Sequence, residues 1–147
     1  MTDVEKLILH NLLKNETYAR KVTPFLKREY FHDRSVRFIF ETVHEFILKY
    51  NNLPTKEAIY IILDKNKSIN QEEMKRISNH VEEISNAKDN VEFEWLMSET
   101  ETFCKDKAVY NAIMESIQII DGKTQQSQGS IPDILSKALA VSFDVHI

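Results

Sequence analysis

The residues most suggestive of chemistry lie in "DGKTQQSQGSIPD" (121–133), which holds both glycines of the chain and one of its three prolines. Gly122, Lys123 and Thr124 spell the end of a phosphate-binding loop. Such a loop needs G-x-x-x-x-G-K-[ST] between a strand and a helix, so that backbone N–H groups cradle phosphate and the lysine reaches it. The position five residues before Gly122 is Ile117, inside a long unbroken helical pattern. Backbone already bonded into a helix offers no cradle, so the segment reads as a bend and not as a nucleotide site. Glu41 and His44 have the Glu-x-x-His spacing of di-iron bundles. Those sites need a second copy of the motif, which is missing, and both residues read as surface positions. His10, His32, His80 and His146 are dispersed without ligand spacing. Cys104 is the single cysteine, which excludes an intrachain disulfide and a cysteine-rich zinc site; among apolar neighbours it reads as packing. With no Gly-x-Ser-x-Gly, no Gly-x-Gly-x-x-Gly and no carboxylate pair that stands out, the expectation is no catalytic residue, no metal and no cofactor in this chain.

Composition points the same way. The 147 residues are 42% hydrophobic and 29% charged, ordinary for one globular domain with a real core. Two glycines and three prolines are too few for the turns of an all-β fold, so long helices are expected. No apolar run approaches the ~20 residues that span a bilayer, and residues 1–20 do not read as a signal peptide, so a cytoplasmic location is expected. The net charge of −4 argues against a dedicated nucleic-acid coat. Arg20, Lys21, Lys27, Arg28, Arg34 and Arg37 nevertheless cluster, with Tyr18, Phe25, Tyr30 and Phe31 interleaved. That mixture can bind single strands by charge and stacking, but most of these aromatics fall on the core face of the expected helices. The basic cluster and the acidic stretch after it read as solvated faces, or as a polar protein-docking surface.

The elements that would position these residues are helical throughout. Thr2 with Glu5 forms a capping box ahead of Val4, Leu7, Ile8 and Leu12, a helix to about Asn15. A second helix is expected near Thr17–Lys27, with Pro24 awkward inside it. Asp33 or Ser35 opens a third, ended by "NNLP", and Thr55 caps a fourth. Asn70 with Glu73, and Asp89 with Glu92, read as two further capping boxes. The chain divides on this reading into a compact head, 1–88, and a helical hairpin, 89–147. The hairpin has a long helix at about 90–121, a polar loop at 122–130 and a short helix at about 131–142. Gly122 is placed just past the long helix and Ser130 caps the short one, with Pro132 in its first turn.

Leu96, Phe103, Tyr110 and Ile117 recur every seven residues, with Ile113 and Ile120 alongside, a seam for another helix. The short helix, with Ile134, Leu135 and Leu139, covers only about a third of a helix on the order of 48 Å long. The remaining seam needs either the head or a neighbouring subunit. Leu96, Phe103, Tyr110, Ile113, Ile117, Ile134, Leu135 and Leu139 are therefore the candidate packing residues, within the hairpin and across subunits.

Three stretches together carry a resemblance: "NETYARKVTPFLKREYF" (15–31), "WLMSETETFCKDKAVYNAIMESIQIIDG" (95–122) and "GSIPDILSKALAVSFD" (129–144). They resemble the N-terminal region of DnaB-like replicative DNA helicases, in the branch of the T-even-type phages. The resemblance covers nearly the whole chain. It implies an all-α collar domain of a hexameric ring motor, commonly a trimer of dimers joined through helical hairpins. It further implies that the collar docks primase and takes part in helicase loading. DNA would be met only through a RecA-like ATPase domain beyond the hairpin, in the host cytoplasm. That motor domain is not in this chain, so no catalytic residue carries over, and the sequence reads as an excised domain. The alternative is a free-standing helical adaptor or regulator that binds a host or phage protein. A reading frame continuing past Ile147 into G-x-x-x-x-G-K-[ST] would separate the two.

Overall fold

A computed structural model describes residues 1–88 and 90–144. Among them are seven α-helices, two short 3-10 turns and no strand, an all-α fold. The chain forms two units, Met1–Met97 and Ser98–Ile147.

The first unit starts with the expected capping box. Thr2 Oγ1 accepts from the Glu5 N–H (3.1 Å), and the Thr2 N–H donates to Glu5 Oε1 (2.9 Å). The helix it opens, α1 (Asp3–Lys14), buries Ile8, Leu9 and Leu12. Asn15 ends α1, and its side chain accepts from the Tyr18 N–H (3.1 Å), opening α2 (Glu16–Val22). The helix expected over Thr17–Lys27 thus stops at Val22. Pro24 has no N–H to continue it, and the Phe25 and Leu26 N–H groups turn back onto the Val22 carbonyl. A 3-10 turn, Arg28–Tyr30, follows.

Asp33 caps α3 (Arg34–Tyr50), accepting from the Val36 N–H (3.1 Å). The inner face of α3 carries Val36, Ile39, Phe40, Val43 and Ile47, the three- and four-residue spacing of an amphipathic helix. It ends at Asn51, held left-handed at φ 51°. Arg20 Nη1 donates to the Asn51 side-chain oxygen (2.5 Å), which ties α2 to this helix end. Thr55 caps α4 (Lys56–Asp64), a helix and not a strand, through the Ala58 N–H. Asn70 caps α5 (Gln71–Asn86), which buries Ile77, Val81 and Ile84. Only half of the expected capping box forms there. Asn70 accepts from the Glu73 N–H, while the largely buried Glu73 carboxylate lies 3.1 Å from Arg34 Nε, as a charge contact.

Helices α1, α3 and α5 pack on one another, α2 against α1, and α4 against both α3 and α5. Two histidines act as tethers in this core. The carbonyl of Ile84 can only accept, so His10 Nδ1 donates to it (2.8 Å), joining α1 to α5. His44 Nε2 likewise donates to the Thr23 carbonyl (2.9 Å), and the ring stacks on Phe40, which stacks on Phe31.

The long helix expected over about 90–121 is α6 (Phe93–Ile120), and the division between units falls within it. Asp89 lies outside the described residues. Glu92 opens α6, its two carboxylate oxygens accepting from the Glu94 (3.0 Å) and Trp95 (2.8 Å) N–H groups. In the second unit α6 ends in a Schellman motif. The Lys123 N–H bonds to the Gln118 carbonyl and the Gly122 N–H to that of Ile119, with Gly122 left-handed at φ 71°. A 3-10 turn, Gln128–Ser130, leads into α7 (Ile131–Leu139), which is shorter than the expected 131–142. Ser130 does not cap α7. Its backbone is already helical, and its hydroxyl donates back to the Ser127 carbonyl (2.6 Å), because the 3-10 turn feeds the helix directly. Pro132 sits in the first turn, as expected.

Candidate assembly surface on the hairpin helix

The residues that first suggested chemistry are engaged in structural bonds. Gly122 and Lys123 spend their N–H groups on the end of α6. Glu41 lies 2.9 Å from Arg28 Nε, whereas His44 reaches the Thr23 carbonyl, so the two do not converge on a common point. Cys104 is buried. Among the described residues no three His, Cys, Asp or Glu side chains gather as a metal ion would require. His146 lies outside the described residues.

Perturbed titration often marks a functional site, but here it follows structural ties. Tyr60 on α4 donates to Glu82 on α5 (2.6 Å), and Lys56 lies 3.4 Å from the same carboxylate. Burial, followed by the bond to Glu82, pushes the Tyr60 phenol well above its usual value. The Tyr60 bond, helped by Lys56, holds Glu82 below the usual carboxylate range. Glu92 is likewise held low, by the N–H groups of Glu94 and then Trp95. The sequence pattern did not single out Tyr60 or Glu82; the pair meets across two helices that no local spacing links.

The candidate seam is brought onto α6 in an unequal way. At about 100° per residue, Leu96, Phe103, Tyr110, Met114 and Ile117 fall within an arc of roughly 60° around the helix axis. Leu96 and Phe103 are buried, at 1% and 7% exposure, but Tyr110 is 52% exposed. Met114 and Ile117 are exposed as well, and exposed Ile113 and Ile120 widen the arc on one side. One apolar stripe thus runs the length of the helix, buried in its N-terminal half and open to solvent in its C-terminal half.

The opposite side of α6 is differently built. Ala112, Ser116 and Ile119 are buried there, turned about 140–200° from Leu96. The returning chain lies on this side. Gln126 Nε2 donates to Glu115 Oε1 (3.3 Å), and the Phe143 N–H donates to Glu101 Oε2 (2.7 Å). Glu101 and Glu115 fall at about 140° and 100°, so the segment carrying α7 runs antiparallel to α6 along this flank. Ser116 returns its hydroxyl to the Ala112 carbonyl (2.8 Å). On α7 itself Ala138 is buried, Ile134 and Leu135 are half-buried, and Leu139 is 72% exposed. Of the eight candidate packing residues, two are therefore buried, two half-buried, and Tyr110, Ile113, Ile117 and Leu139 face solvent.

None of the described helices is long and apolar enough to cross a membrane. No family model matches the chain. In sequence it is 26% identical, over 151 aligned residues and 97% of its own length, to a protein described as the DnaB-like replicative helicase of Enterobacteria phage T4. The chain spans 31% of that relative's length. The resemblance carried by the three quoted stretches thus holds over almost the whole chain: it is similar to a stretch, about a third in length, of a phage DnaB-like replicative helicase.

Proposed function

We propose that this chain is the N-terminal collar domain of a DnaB-like replicative helicase, serving assembly and recruitment with no nucleotide hydrolysis of its own. Its partners are further copies of itself, through the hairpin helix, and the primase and loader that act with such helicases. DNA contact belongs to a RecA-like motor domain outside this sequence. The observation that carries the reading is the half-open stripe of α6. Tyr110, Met114 and Ile117 expose large apolar side chains in one row on the side away from the returning chain, and exposed Ile113 and Ile120 widen that row toward the flank. Row and flank together make a helix with two partners, one of which is absent from a single chain. Apolar area of this kind stabilises an interface by ~25 cal/mol per Å² buried. The extended similarity to a phage DnaB-like helicase supports the choice of a second copy as that partner.

Light scattering on the purified chain tests the assembly. A dimer or higher species is expected at tens of micromolar, a range suited to a modest interface. A strict monomer there would overturn self-association for this chain. Recruitment is tested by pull-down of the cognate primase, with the full ring as positive control; retention by the ring but not by this chain would remove it.

A further inference from the structure

The head carries a second surface, separate in residues from the hairpin stripe. Two adjoining clefts, of about 320 and 380 Å³, lie along the outer side of α3 and share Phe38 and Glu41 in their walls. The first is ringed by Arg28, Arg34 and Arg37. The second runs on past Thr42 and Glu45 to Ile62 and Lys65, on and after α4.

Each arginine meets a protein group through its Nε edge. Arg37 Nε donates to the Phe31 carbonyl (2.9 Å), while Arg28 Nε lies 2.9 Å from Glu41 and Arg34 Nε 3.1 Å from Glu73, as charge contacts. Arg37 spends one further group, Nη2, on the His32 carbonyl. Arg34 also lies over the Phe38 ring, 5.3 Å from its centroid. A guanidinium engaged through its Nε keeps its Nη groups for a planar, bidentate anion. Both Arg28 and Arg34 are well exposed. Next to this anion-binding end stands an apolar floor of Phe38 and half-exposed Ile62.

We propose that this groove docks a peptide segment of a partner protein, with acidic residues seated on Arg28, Arg34 and Arg37 and apolar residues following over Phe38 and Ile62. Charge complementarity selects this occupant over a nucleic-acid strand. A strand must neutralise several successive phosphates. Here three arginines face two carboxylates, Glu41 and Glu73, and the groove continues past Glu45, which would repel a second and third phosphate. The proposal does not depend on the helicase reading, since every residue it uses belongs to the first unit and the assembly stripe to the second.

Random dodecapeptides displayed on phage and selected against the immobilised full chain provide the test. Enriched peptides are expected to carry Asp or Glu a few positions before an apolar pair. Binding of a labelled synthetic copy, followed by fluorescence anisotropy, is expected to weaken at least tenfold, ~1.4 kcal/mol, in Arg28→Glu and again in Ile62→Asp. Both positions are exposed, and circular dichroism verifies that each variant is folded; Arg28→Gln, expected to lose several-fold, replaces either one that is not. The proposal is overturned by selection without enrichment, by winners lacking an acidic residue, or by affinity unchanged in these variants. Displacement of the peptide by a short oligothymidylate would overturn it in favour of a nucleic-acid site. Loss of self-association with peptide binding intact, or the reverse, tells failure of one surface from failure of the other.

Discussion

Phe103 and Tyr110 stand one heptad apart on α6, within about 20° of each other around its axis, yet the first is 7% exposed and the second 52%. A single row of apolar side chains thus changes from core to surface between them. The exposed part of the row predicts a separation of effects. Ile113→Asp should abolish self-association and leave an unfolding midpoint that no longer rises with protein concentration. Phe103→Ala should cost about 3 kcal/mol of stability, because it leaves a cavity. Light scattering and urea denaturation on the two variants check this, and a monomeric but fully stable Phe103→Ala would contradict it.

Gly122 predicts a backbone effect without a packing effect. A Cβ there meets nothing within 4 Å, but φ is +71°. Gly122→Ala should therefore destabilise by about 1 kcal/mol, through left-handed strain alone. Gly129, whose Cβ would make an ordinary contact at 3.6 Å with Ser127 Oγ, should accept alanine at no more than a few tenths of that cost. Paired denaturant titrations measure the difference.

The Tyr60–Glu82 bond predicts opposite slopes at the two ends of the pH range. Glu82 is held below its unfolded pKa, so its contribution is full above the ordinary glutamate value near ~4.3 and is lost as pH falls through the lower folded value. Tyr60 is raised above its unfolded pKa, so its contribution is full below ~10 and is lost at more alkaline pH. Tyr60→Phe should flatten both slopes, whereas Glu82→Gln removes the acid slope and leaves part of the alkaline one, since burial of Tyr60 persists. Melting temperature followed across pH reads both.

Glu92 predicts a local effect at the start of α6. Its carboxylate holds the Glu94 and Trp95 N–H groups, and its pKa is lowered by them. Protonation as pH falls below the ordinary glutamate range, or Glu92→Ala at neutral pH, should release these two amides. Hydrogen exchange at Glu94 and Trp95 should then accelerate, while exchange at Ile77 and Val81, deep in α5, stays unchanged.

The helices of the head were legible where local chemistry sets their ends. Thr2, Asp33, Thr55 and Asn70 each cap the helix that their spacing announced, and Gly122 closes α6 as its position implies. Pro24 gave warning of a break, but not that it comes at Val22. Ser130 looked like a cap because its neighbours fit one; the 3-10 turn before it already supplies the helical backbone. The seam on α6 was legible as a row of side chains, but not as a row that is half buried. Burial is a tertiary property: the returning chain lies on the other flank, where Gln126 meets Glu115 and Phe143 meets Glu101, contacts distant in sequence. The arginine cleft was visible only as a charge cluster. Its shape comes from Glu73, some forty positions beyond Arg34, and from Ile62 on a separate helix.

The bend that spells GKT has a chemical use of its own. Gly122 is achiral but sits at a dihedral angle that is the mirror image of an ordinary residue's, with open space around it. A D-amino acid suits that angle without strain. Peptide ligation that installs D-alanine at position 122 should stiffen the unfolded chain and raise stability, where the L-enantiomer lowers it. A D-residue bearing a dye would put a reporter at the tip of the hairpin while leaving the apolar row of α6 untouched.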